Sequence, residues 1–330
     1  MNSNDTIGPA LDAIDGRRGE RRRFLAYAGG ATAGTAALSL LAACGQDGTS
    51  STSTGTGTST GTTTTTTAEL DVLNFALNLE YLEAQFYAYA AFGTATSAAT
   101  SGVGTAGTVT GGAQVSFTDP LVAQYAREIA IDEANHVTFL RSLLGTAAVA
   151  MPAIDIDGTT ATSAFSVAAQ AAGLVPAGSV FNPYASDENF LLGAFLFEDV
   201  GVTAYKGATP LLTNKTYIEN LAGILAVEAY HAGLIRSVLY RKGIEATPSL
   251  LTSAQAISDA RDGLDGTSDD DQGIGTATVA NITPADANAI AYSRSTAQVL
   301  NIAYLSRSAV KGGGFFPAGV NGNIFTSAAN

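Results

Sequence analysis

Two histidines occur in the 330 residues, and each stands three places after a glutamate: Glu133-Ala134-Asn135-His136 and Glu228-Ala229-Tyr230-His231. On a helix that spacing puts the two side chains on one face, where they can converge on one ion. Glutamate accounts for 11 of the 330 residues, so random placement would give both histidines this neighbour in about one chain in nine hundred. Two further glutamates are each followed by tyrosine seven residues on, Glu80 by Tyr87 and Glu198 by Tyr205. Seven residues is two helical turns, which again gives one shared face. The chain therefore reads as two helical hairpins in tandem, each supplying one lone Glu and one Glu-x-x-His. Carboxylates of this kind can bridge two hard metal ions, and one neutral imidazole per metal leaves a coordination position open.

The expected metal ligands are Glu80, Glu133 and His136 for one half of a dinuclear centre and Glu198, Glu228 and His231 for the other, with Glu133 and Glu228 as bridges. The competing reading is a buried salt-bridge network without metal, and the cost of burying six ionisable groups with no balancing cation stands against it. Glu83, one turn after Glu80, is either a further ligand, a carboxylate just behind the ligands, or a solvated charge. Tyr87 and Tyr205 are expected near the site, packed in the core with satisfied hydroxyls, or donating to a ligand carboxylate, or carrying a radical. Arg141 and Arg236 each follow a Glu-x-x-His glutamate by eight residues and read as surface or helix-end cations. Asp262, Asp265, Asp269, Asp270 and Asp271 lack the terminal Glu of a calcium loop and read as an acidic, solvated turn.

Four long helices have to position these residues. Apolar residues recur at three- and four-residue steps from Glu69 to about Ala91. Asp119-Pro120 caps and starts a second helix that stops at Gly145. Ser186 caps a third, running from Asp187 to about Gly207, and a fourth extends from Asn214 to Lys242, with Gly243 in the usual terminating position. Shorter helices are expected at Ser163 to Ala172 and Ser253 to Leu264, and a fifth long one is expected to be entered at Thr283-Pro284 and to continue to about Leu305. The fold class is all-α, a four-helix bundle over residues 68–245 with long loops, followed by an extension, 246–330, whose extra C-terminal helix packs on the bundle.

The amino end has a different task. Arg21-Arg22-Arg23-Phe24-Leu25 leads into a small, apolar stretch, and Leu41-Ala42-Ala43-Cys44 follows. Residues 1–43 resemble a twin-arginine export signal that ends in a lipoprotein cleavage box, with Cys44 as the lipidation site; an uncleaved membrane anchor is the alternative. Residues 44–67, almost wholly Gly, Ser and Thr, form the expected flexible linker. The localisation implied is the cell envelope, outside the cytoplasm, with the membrane reached through the lipid at Cys44. A single Cys excludes an internal disulfide and any multi-thiolate metal site. The net charge of −13 argues against nucleic acid as a partner.

The segment Asn74 to Tyr87, the segment Glu133 to Leu140, and the late Gln298-Val299-Leu300 and Gly313-Gly314-Phe315-Phe316-Pro317 runs resemble the desiccation-related branch of the ferritin-like superfamily, across about residues 69 to 325. The resemblance implies a ferritin-like bundle with two iron or manganese ions. The expected activity is redox chemistry on peroxide or dioxygen, of catalase, peroxidase or ferroxidase type, in stress protection. The alternative is a non-enzymatic protective or metal-sequestering protein. A homo-oligomer is left open, and spacing alone does not decide whether the protein is an enzyme.

Overall fold

The structure is a computed structural model that describes residues 66–330; the signal segment, Cys44 and the linker up to Thr65 lie outside the described residues. Helix α1, Thr67–Phe92, begins with a reciprocal cap. Thr66 Oγ1 accepts from the Glu69 amide, and the Glu69 carboxylate accepts from the Thr66 amide. The last threonines of the expected linker thus belong to the start of the bundle. The other oxygen of Glu69 accepts from the amides of Thr213 and Asn214 at 2.9 and 2.7 Å. These backbone donors hold the Glu69 carboxyl down at about 2 and tie the start of α1 to the cap of a distant helix.

Every residue from Val72 to Ala88 is buried, including the polar Asn74, Asn78, Glu80, Glu83 and Gln85. Gly93, at φ 71°, ends it in the left-handed conformation. Helix α2, Pro120–Leu144, follows the Asp119 cap with proline in its first turn. The two long connections on either side of α2 meet in a short parallel pair, β1 (Val109–Gly111) with β2 (Ile154–Ile156), Val109 opposite Ile154. After the short α3, Ala164–Ala171, the chain enters α4, Asp187–Ala208, capped by Ser186 Oγ. Helix α5, Lys215–Glu245, is capped by Asn214. Helix α1 packs along α2, and α4 along α5. The central pair, α1 and α4, is buried on nearly all sides, whereas α2 and α5 each keep a solvent face.

Two expectations are corrected here. Helix α5 does not stop at Gly243 but runs on to Glu245. A Cβ at Gly243 would lie 2.8 Å from the Leu251 side chain, so this glycine lets helix α6, Ser249–Asp265, approach closely. The fifth long helix does not start at Thr283-Pro284. Residues 283–294 are irregular, and the last helix, α7, spans only Thr296–Ala303. Its start is set by a second reciprocal cap, Ser295 with Gln298. Upstream, Asp286 accepts from the amides of Asn288 and Ile290 and holds the backbone in a turn.

The extension packs on the bundle through α6 and α7, which contact α4. Its last turn brings in Phe315, whose ring lies 4.9 Å from that of Phe197 and 5.1 Å from that of Phe165. Phe86 joins the same cluster from α1, 5.5 Å from Phe197. Burying each such ring contributes about 1.5–3 kcal/mol, so the cluster fixes α1, α4 and the extension relative to one another just beside the predicted ligands.

Candidate metal centre

The four long helices bring all six predicted ligands together. Glu80 comes from α1, Glu133 and His136 from α2, Glu198 from α4, and Glu228 and His231 from α5; every one is buried. His136 Nδ1 lies 3.2 Å from Glu80 Oε2, 3.3 Å from Glu133 Oε2 and 3.6 Å from Glu228 Oε1. His231 Nδ1 lies 2.9 Å from Glu133 Oε1 and 3.7 Å from Glu198 Oε2. The two oxygens of Glu133 therefore face different imidazoles, whose rings are 6.2 Å apart. Ligand atoms of Glu80, Glu133, His136 and Glu228 lie within 4.8 Å of one another, as do those of Glu133, Glu198 and His231. Glu133 belongs to both groups. Glu228 groups with His136 rather than with the histidine of its own helix, which differs from the expected division into halves.

The site has the features of a cation cradle. Among the described residues, three buried carboxylate oxygens here, Glu198 Oε2 and both oxygens of Glu228, lack a hydrogen-bond partner, while Glu80 Oε2 and Glu133 Oε1 are met by imidazole nitrogens at 3.2 and 2.9 Å. Buried polar groups left unpartnered are costly, and metal ions would supply the missing partners. Gly201 makes room for them. A Cβ there would stand 2.3 Å from Glu228 Oε2 and 3.5 Å from Glu83 Oε1, so the bundle accepts a mid-helix glycine, at about 0.5–1 kcal/mol relative to alanine, to seat these carboxylates.

The electrostatics point the same way. Burial, opposed by the nearby imidazoles and aided by Glu133, pushes Glu80 up to about 7 and Glu198 up to about 8; burial and the neighbouring carboxylates raise Glu83 and Glu228 well above the carboxylate range. Burial opposes charge on the imidazoles too, but the carboxylates outweigh it. Glu80 and Glu133 lift His136 to about 12, and Glu198 with Asp132 and Glu133 lifts His231 to about 11. Glu133 alone goes down: burial works against its charge, and the two imidazoles more than reverse that. The protein's own protonated histidines thus occupy the electrostatic role that metal ions would take over.

The tyrosines are more specific than core packing. Tyr87 of α1 donates its hydroxyl hydrogen bond to Glu198 of α4, and Tyr205 of α4 donates to Glu80 of α1. The sequence paired each tyrosine with the glutamate on its own helix; in the fold the pairs cross. Glu83 is buried, so its reading as a solvated charge is overturned. Arg141 and Arg236 are not free cations either. Arg141 donates to the Tyr81 hydroxyl at 2.5 Å, and the fully buried Arg236 donates to Asp199 at 2.7 Å. Tyr81 and Asp199 are the residues right after Glu80 and Glu198, so the tandem pattern carried this signal as well.

Sequence reasoning missed Asp132, whose Oδ2 lies 3.4 Å from His231 Nε2 and whose only mark was its place before Glu133. It also missed Gly201. The acidic turn is not simply solvated. Asp265 and Asp271 are buried, held by Arg294 through Asp265 at 2.5 Å and through Asp271, while Arg261 reaches Asp271 at 2.6 Å and Asp199 at 2.9 Å.

Comparisons with known proteins agree with this architecture. The profile of the ferritin-like domain matches residues 68–241. The ferritin-like catalase Nec2 of Nesocodon mauritianus is 29% identical over 269 residues, 78% of this chain and 85% of that protein. The desiccation-related protein PCC13-62 of Craterostigma plantagineum is 32% identical over 182 residues, 54% of this chain and 55% of that protein. No solved structure matches the chain. With four helices placing two Glu-x-x-His pairs and two lone glutamates around one buried cradle, the chain belongs to the ferritin-like family and resembles its desiccation-related branch.

Proposed function

We propose that this protein holds two iron or manganese ions in the bundle and consumes hydrogen peroxide. The observation that supports this most directly is the charge of the cradle. Five buried carboxylates, Glu80, Glu83, Glu133, Glu198 and Glu228, face two imidazoles, and three of their oxygens, Glu198 Oε2 and both of Glu228, lack partners. Glu80, His136 and Glu228 would hold one ion and Glu198 and His231 the other, with Glu133 between them. Such a pair supplies, when bound, two electrons for breaking an O–O bond and regains them from a second peroxide. Overall, one peroxide is reduced to two waters and another is oxidised to dioxygen.

The chain's own residues orient this chemistry. Tyr87 and Tyr205 hold Glu198 and Glu80 by one oxygen each and leave Glu198 Oε2 and Glu80 Oε2 turned toward the imidazoles. Asp132 sets the outer nitrogen of His231 and so directs Nδ1 inward. The similarity to a protein named as a ferritin-like catalase supports the peroxide reading. Export by the twin-arginine signal and a lipid at Cys44 would place the activity at the cell envelope.

Elemental analysis of the purified chain, followed by peroxide consumption before and after Glu133→Ala and Glu228→Ala, tests the reading. Two ions per chain are expected, with at least a hundredfold loss of peroxide consumption in Glu133→Ala. Well under one ion per chain would refute the centre. Two ions without turnover of peroxide or oxidation of ferrous iron would shift the conclusion to a protective, metal-sequestering protein, the role suggested by the name of the desiccation-related relative.

A further inference from the structure

Behind the carboxylates, on the side away from the histidines' helices, lies a cavity of about 30 Å³. Its walls are apolar and buried: Leu82 of α1, Val200 of α4, Val299, Ile302 and Ala303 of α7, and Phe315. Gly201 and Glu83 also line it, and a Cβ at Gly201 would stand 2.3 Å from Glu228 Oε2. A water-sized molecule needs about 10–15 Å³ of such space, so there is room for two oxygen-sized atoms. A second apolar cavity of about 70 Å³ shares Leu196 and Ile302 with the first and reaches the half-exposed Val167. The outer cavity thus adjoins the inner one at Leu196 and Ile302.

We infer that the C-terminal extension acts as a size filter: α7 and Phe315 close the inner cavity into a pocket that admits a small uncharged oxidant, hydrogen peroxide or dioxygen, to the centre and turns away bulkier hydroperoxides. This rests on the peroxide reading above. Apart from Glu83 the walls of the inner cavity are apolar, and desolvating an ion into apolar surroundings is costly. Three of the walls come from α7, which the four-helix site itself does not require. The extension is therefore part of the substrate's path as well as a brace on the bundle.

Two measurements test the filter. Crystals under xenon pressure should show xenon between Val200 and Ile302 in the wild-type protein and none there in Ala303→Leu, because apolar cavities bind xenon. In solution, hydrogen peroxide should be consumed at least a hundredfold faster than tert-butyl hydroperoxide by the wild type. Ile302→Ala should narrow that ratio at least tenfold, and Ile302→Val should narrow it less while retaining the fold. Consumption of both hydroperoxides with a ratio unmoved in Ile302→Ala and Ile302→Val, or xenon absent from the wild-type cavity, overturns the filter and leaves the peroxide reading intact. Consumption of neither hydroperoxide by any variant, with xenon seated, overturns the peroxide reading and the filter with it.

Discussion

Glu198 and Asp199 are neighbours on α4, yet they belong to two buried clusters of charge built on opposite plans. On the Asp199 side three arginines meet three aspartates. Arg236 and Arg261 share Asp199, Arg261 also reaches Asp271, and Arg294 holds Asp265 and Asp271. Further guanidinium hydrogens of Arg236 and Arg261 go to the carbonyls of Gln272, Gly273, Asn281 and Phe195, while the Nε of each stays unpartnered. That cluster is closed: its cations are covalent parts of the chain. On the Glu198 side five carboxylates face two imidazoles, and even with both imidazoles protonated the charges balance without ions only if three of the carboxylates hold protons. A fold that balances one buried cluster residue for residue and leaves its neighbour short of positive charge has left the second open to ions from outside.

The comparison breaks first at Asp199. Replacing it with Ala strands Arg236 and Arg261 in the interior, and removing one partner of a buried pair costs about 3–5 kcal/mol. In a chain of this size that is a fall in melting temperature of about 10 °C. Glu133→Ala should instead remove metal at a smaller cost to the metal-free protein, since it deprives the imidazoles of one carboxylate but leaves Glu80 and Glu198 beside them. Calorimetry of both variants after chelation checks the contrast, and equal losses in the two would erase it.

A smaller effect follows from pH. In the metal-free protein Glu80 and Glu198 have folded values near 7 and 8, above their ordinary 4.5. A carboxyl raised on folding contributes stability that is complete below its unfolded value and is lost as pH rises through the folded one. The metal-free protein should therefore weaken between about pH 4.5 and 8. Ions need those same carboxylates deprotonated, so their affinity rises across the window. The gap in melting temperature between loaded and metal-free protein should widen by several degrees from pH 5.5 to 8. A constant gap would mean that Glu80 and Glu198 do not meet the ions.

The open cluster was legible in the sequence and the closed one was not. Glu-x-x-His, and Glu with Tyr at seven, are short-range spacings that a helix converts directly into a shared face. Helix starts were legible for a similar reason, because Asp119-Pro120, Ser186 and Asn214 cap through their own side chains. The Arg–Asp pairs join residues 10 to 62 apart, and nothing in the Asp262 to Asp271 run distinguishes an aspartate that will meet Arg294 from one left in water. Gly243 and Thr283-Pro284 misled through local signals that tertiary structure overrode. The first is used for close helix contact rather than termination, and the second is followed by an Asp286 turn that delays the helix to Ser295. The crossing of Tyr87 and Tyr205 between α1 and α4 escaped for the same reason, since periodicity reports faces and says nothing of which opposite face a hydroxyl reaches.

That crossing supplies the finest test. If the centre is two equivalent halves, Tyr87→Phe and Tyr205→Phe each remove one donor from one lone glutamate and should weaken metal binding alike, by roughly tenfold, the low end of what partners of metal ligands contribute. The closed cluster gives a reason for them to differ. Glu198 is next to Asp199, which two arginines hold in place, whereas Glu80 is next to Tyr81, held by the half-buried Arg141. The backbone under Glu198 is therefore the more firmly fixed, and its carboxylate should keep its position better without a tyrosine. Metal titrations of the two variants should show the larger loss in Tyr205→Phe, the partner of Glu80. The reverse order would mean that the Arg–Asp cluster supports the extension alone and adds nothing to the rigidity of the metal centre beside it.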